Sequence, residues 1–130
     1  MPEIRDLDAI FDSLAEALLR HSPPLTVRED ASSPKRNLQL WSERAVEIAG
    51  RGRNEVYFGG AIVQRGYVGF YLMPVYTHAE QKSVFAPELL SLLKGKSCFH
   101  VKRLDESLLA HVEDALAKGL ELYRERGWVE

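Results

Sequence analysis

The sequence predicts an α+β domain in which a helix stands at each end of an antiparallel β-sheet, with a short helix and a strand before the last helix. Three observations carry this. Ile4, Leu7, Phe11, Leu14 and Leu18 recur at steps of three and four, the spacing that makes one stripe of an α-helix. Leu108, Val112, Ala115, Leu116 and Tyr123 form a second such stripe near the C-terminus. Between them, Glu55 to Gln64 and Tyr67 to Met73 are runs of β-branched and aromatic residues joined across Arg65-Gly66, where glycine can take positive φ and close a hairpin.

Taken in order, the first helix runs from Glu3 to about Arg20, and Pro23 and Pro24 end it because proline lacks the amide hydrogen and its ring clashes with the preceding turn. Leu25 to Glu29 and Asn37 to Trp41 read as a loose hairpin around the turn-rich Ala31-Ser32-Ser33-Pro34-Lys35. Arg44 to Gly50, where Ala45, Glu47 and Ala49 alternate with Val46 and Ile48, reads as a strand, with a short helix as the alternative. In the main hairpin, period-two alternation puts Val56, Phe58, Gly60 and Ile62 on one face and Tyr57, Gly59, Ala61 and Val63 on the other. Both faces are mostly apolar, which places these strands centrally, and Gly59, Gly60 and Gly69 leave room for a helix or ligand to approach. Thr77 and Glu80 have capping-box spacing. Pro87 opens a short helix through Leu93, with Gly95 just past its end, and Ser97 to Val101 is a strand. Asp105 is the expected N-cap of the last helix, and Gly119 within it marks close packing.

At 130 residues the chain can bury one continuous core, so residues 1–130 are read as one domain without internal repeats. Lys and Arg total 17 against 19 Asp and Glu, a net charge of -2 that argues against sequence-independent attraction to nucleic acid. No apolar run approaches the ~20 residues of a membrane-spanning helix. The acidic, amphipathic start MPEIRDLDAI does not resemble a secretory signal, and a lone Cys98 fits a reducing compartment, so the expectation is a soluble, cytoplasmic protein. Its expected partner is a small molecule or a protein, and homodimerisation through an exposed sheet face is compatible with such strands.

Chemistry-bearing motifs are few. Gly95-Lys96-Ser97 looks like the end of a phosphate-binding P-loop, but Leu90 stands where that motif needs its first glycine, and the segment enters a strand rather than a helix. Cys98 and His100 alternate on a strand and so share a face; they are a thiolate beside its base if that face is exposed, and core residues if it is not. Lys96 shares their parity, and Tyr71 lies on a neighbouring strand, so Tyr71, Lys96, Cys98 and His100 are the candidate ligand-binding set and the basis of a small-enzyme alternative. The four histidines have no zinc spacing. Asp8, Asp12 and Glu16 recur every fourth residue on the first helix, either as an ordinary solvated face or as a row able to share a cation.

Val56-Tyr57-Phe58-Gly59-Gly60, Tyr67 to Tyr76 with its Leu-Met-Pro-Val-Tyr block, and Gly95-Lys96-Ser97-Cys98-Phe99 resemble the YdhG-like domain family, over roughly the last two thirds of the chain. Members of that family, largely of unknown function, carry histidine before Leu-Met-Pro and Asn-Phe after Cys-Phe; this chain has Tyr71 and His100-Val101 instead. The resemblance implies a frataxin-like two-layer sandwich, with the N- and C-terminal helices packed on one face of the antiparallel sheet. Because no constellation of nucleophile, base and oriented acid can be assembled from the sequence, the expected function is that of a non-enzymatic binding or interaction domain of this family, without a cofactor. Some relatives are iron chaperones, which makes weak iron or divalent-cation binding at Asp8, Asp12 and Glu16 the alternative.

Overall fold

The computed structural model describes residues 2–48 and 50–130. Helix α1 is Leu7–Leu19. It starts later than the hydrophobic stripe suggests because Asp6 is its N-cap, the carboxylate accepting from the Ala9 amide at 3.0 Å. Ile4 lies before it in an isolated bridge to Leu104. Strands β1 (Thr26–Arg28), β2 (Asn37–Ser42), β3 (Val46–Ile48), β4 (Arg51–Arg53), β5 (Val56–Val63) and β6 (Val68–Leu72) follow. The strand expected within Arg44 to Gly50 is β3, and β4, which lies just beyond that segment and was not expected, pairs with it as a small hairpin; Ala49 lies outside the described residues.

Two local expectations change between Met73 and Ser97. Helix α2 (Pro74–Thr77) begins at Pro74, and the Thr77 hydroxyl turns back to the Met73 carbonyl and to His78 Nδ1 (3.4 and 2.8 Å), so no capping box with Glu80 forms. A 3-10 turn, Ala79–Val84, continues the chain. Helix α3 (Pro87–Leu90) is shorter than expected because Leu93–Lys94 pair as strand β7 with β8 (Cys98–Val101). Gly95, at φ +82°, therefore turns a hairpin rather than closing a helix. Helix α4, Glu106–Glu125, is capped by Asp105 as expected, its carboxylate 2.8 Å from the Leu108 amide.

The sheet is six-stranded and antiparallel, in the order β1-β2-β5-β6-β8-β7, with β5 and β6 at its centre. Helices α1 and α4 cover one face, giving a two-layer α+β sandwich. A bulge decides which residues that face receives. The β2–β5 register runs Leu40 to Gly59 and then Trp41 to Tyr57, leaving Phe58 as an extra residue on β5. Strict alternation therefore fails at Phe58: Val56, Phe58, Ala61 and Val63 face the helices, and Tyr57, Gly60 and Ile62 face away. Cross-strand partners extend the buried face through Leu40, Leu72, Val68, Phe70, Phe99 and Val101, all 0% exposed.

Helix α4 seats on the bulge. Tyr123, fully buried, makes an edge contact with Phe58 at 5.3 Å and donates its hydroxyl to the Tyr57 carbonyl at 2.6 Å. Gly119 permits this approach, since a Cβ there would stand 3.2 Å from Pro74 Cγ and 3.5 Å from both Leu72 Cδ1 and Phe58 Cζ. Tyr123 also packs edge-on against Trp128, which forms a T with His78.

His78 is 1% exposed, and its Nε2 has no hydrogen-bond partner of normal geometry among the described residues. Burial first, then the nearby Arg126 charge, lowers its pKa, and burial lowers that of His21 as well. The unfolded chain therefore takes up protons more readily than the folded one, so stability rises with pH through this window. Thermal melts should show the midpoint intact above the ordinary histidine value and falling as pH drops below it. His78→Phe should flatten that slope, leaving only the part due to His21; an unchanged slope would exclude His78 as its source.

Candidate functional site

The sheet face turned away from the helices carries polar and aromatic side chains in an order set by the register. Trp41 pairs with Tyr57, Gln39 with Gly60, Gly60 with Tyr71 and Tyr71 with Cys98; one step along, Ile62, Gly69 and His100 follow. The pattern has a steric logic. A Cβ on Gly60 would collide with the Leu38 carbonyl and the Gln39 side chain, and one on Gly69 would press on the Tyr71 ring at 3.1 Å. The glycines expected to leave room thus leave it within the sheet: Gly60 for β2, Gly69 for the Tyr71 ring of its own strand, and Gly59 for the β6 backbone at Tyr71.

Those side chains interlock. Tyr57 donates to Gln39 Oε1 at 2.5 Å and meets Trp41 edge-on at 5.2 Å, while the Arg28 guanidinium lies over Trp41 at 4.8 Å. Glu43 and Glu55 hold Arg28 there. At the other end Tyr67 stacks on His100, ring centroids 3.9 Å apart. Between them the Tyr71 hydroxyl interacts with Cys98 and Gln64. Trp41, Tyr57, Tyr67, Tyr71, Cys98 and His100 are all part-exposed.

Of the candidate ligand-binding residues, three come together. Tyr71 and Cys98 are direct cross-strand partners, and His100 lies two residues along on the same face. Lys96 does not join them: it sits in the turn between β7 and β8, its Nζ 5.0 Å from the Tyr76 ring. Burial pushes the Cys98 thiol up, only partly offset by Tyr71, and burial also raises Tyr71. Both groups are thus held in their neutral, protonated forms. Protonated thiol is a poor nucleophile, and the His100 ring is stacked on Tyr67.

The acidic row of α1 is answered by arginine. Arg36 donates to Asp8 at 3.1 Å and to Asp12 at 2.7 Å while lying over the Phe11 ring at 4.6 Å. Glu16 is 3.4 Å from Arg20, which also bonds Glu113. A cation at this row would have to displace guanidinium groups from the same oxygens. Among the described residues no group of three or more His, Cys, Asp or Glu side chains is placed to hold a metal ion.

Trp41, Tyr57, Gln39 and Tyr67 belong to the same face and were not expected in the site. Trp41 and Gln39 lie on β2, and only the bulged register shows them opposite Tyr57 and Gly60. No helix is long and apolar enough to cross a membrane among the described residues. Compared with family models, curated proteins and solved structures, the chain matches none.

Proposed function

We propose that the chain is a non-enzymatic binding domain of the YdhG-like kind, which takes a small molecule or protein segment on the open face of its sheet. The observation that carries this reading is the row Trp41, Tyr57, Tyr71, Cys98, His100 and Tyr67, part-exposed on the face opposite both long helices. Part-exposed aromatic rings offer large contact area at small entropic cost, and the tyrosine hydroxyls, Gln39 and His100 supply directional hydrogen bonds. The protonated Cys98 thiol and the stacked His100 ring support binding over covalent catalysis. The frataxin-like alternative, a hard cation on Asp8, Asp12 and Glu16, competes with Arg36 and Arg20 and ranks below it.

A thermal-shift screen of metabolite-like compounds tests the reading, because a ligand that binds only the folded chain raises its melting temperature. Hits on the wild type should lose their effect in a Tyr67→Ala, His100→Ala variant, and their amide shifts should map to β2, β5, β6 and β8. Hits that act equally on the variant, or that map to α1 and α4, would count against the open face. Turnover of a hit compound would refute the non-enzymatic part.

A further inference from the structure

Beyond the outer edge of β8, a cleft of about 680 Å³ opens between α3, β7 and the start of α4. That volume lies within the ~300–1,000 Å³ of small-molecule sites. Its lining gathers Arg5, Lys94, His100, Lys102, Arg103 and His111, in a chain whose net charge is -2. Leu92 and Leu108 add an apolar wall. Two carboxylates also line it, and both are engaged: Glu88 lies 3.4 Å from His111, and Asp105 caps α4.

The fold forces part of this positive charge together. The antiparallel bridge between Ile4 and Leu104, with hydrogen bonds of 2.7 and 2.8 Å, sets Arg5 directly opposite Arg103. Like charges in that relation repel. One carboxylate, Glu3, answers both, at 3.0 Å to Arg5 and 3.6 Å to Arg103. Lys94 and Lys102 make no ion pair among the described residues. The first turn of α4, a 20-residue helix, ends on the cleft through Ser107, bringing its positive dipole end to the same place.

We infer that this cleft binds a small phosphorylated molecule, with phosphate between Arg5, Arg103 and Lys102 and the rest of the molecule along Leu92 and Leu108. Guanidinium forks match phosphate oxygens bidentately, and a doubly charged group relieves the Arg5–Arg103 repulsion that one shared carboxylate leaves. The overall negative charge of the chain disfavours a long polyanion and leaves this cleft as a local exception. The cleft shares His100 with the open face, but its phosphate subsite at Arg5, Lys102 and Arg103 does not depend on that face.

Pyrophosphate titrated into the full chain, followed by amide shifts, tests the inference. Saturable shifts are expected at Lys94, Lys102, Arg103, Ser107 and His111, weakened by added salt. A Lys102→Gln, Arg103→Gln variant should bind at least about tenfold more weakly, whereas Arg53→Gln, on β4, should bind as the wild type does. If the double variant loses its folded spectrum, Lys94→Gln carries the same expectation with a smaller loss. Non-saturating shifts, equal affinity in the variants, or shifts confined to Gln39, Tyr71 and Cys98 would overturn it. So would tighter binding of citrate, which would assign the cleft to carboxylates, or of a short oligonucleotide, which would assign it to nucleic acid.

Discussion

Replacing Phe58 by alanine should lower the unfolding free energy by about 3–5 kcal/mol, the range for truncating a buried aromatic ring. Phe58 is 0% exposed and occupies the bulge where β5 changes phase. Its ring contacts Tyr123 edge-on and lies where Gly119 lets α4 come close, so its removal leaves a hole between two rigid layers. The hydroxyl of Tyr123 is fixed to the Tyr57 carbonyl, which limits how far that ring can move to fill the space. Urea denaturation with the slope unchanged would give the loss from the midpoint. A loss below about 1 kcal/mol would mean that α4 collapses onto the sheet after all.

The second large effect is expected at Gly60. An added methyl would collide with the Leu38 carbonyl, which is backbone, as well as with the Gln39 side chain, so the strain cannot be relieved by a rotamer change alone. Gly60→Ala should cost about 1–3 kcal/mol or more, as overpacking does, and should move the amide signals of β2. Gly66→Ala is the informative contrast. Gly66 has φ +87° and open space around its would-be Cβ, so its cost arises from backbone conformation alone, about 1 kcal/mol. If Gly66→Ala proved the more damaging of the two, the packing of Gln39 and Tyr57 over Gly60 would not be as described.

The architecture was legible because its signals are local. Helical periodicity marked α1 and α4, Arg65-Gly66 marked the central hairpin, and Asp105 marked the start of α4. Sidedness within β5 was not legible beyond Phe58, since a bulge changes the phase of a strand without requiring a distinctive residue. Gly95 misled for a related reason: a residue with positive φ serves a helix end and a hairpin turn equally well, and only the β7–β8 pairing separates them. At the open face, the parity of Cys98 and His100 was readable, whereas Lys96 missed the face because β8 starts only at Cys98. Arg36 could not have been connected with Asp8 and Asp12 from spacing, because the contact joins α1 to the residue preceding β2. The residues of the cleft are scattered from Arg5 to His111, so the accumulation of charge there exists only in three dimensions.

The two rims of the sheet have a bearing on how copies of this chain meet. One rim is β1, three residues long, and the other is β7, with two. Each ends in a cation, Arg28 on the first and Lys94 on the second. A second copy approaching rim to rim would find few backbone groups to pair with, and at the β7 rim a lysine without an ion pair among the described residues, which are devices that discourage open-ended strand addition. Crowded chains are thereby steered away from ribbon-like growth.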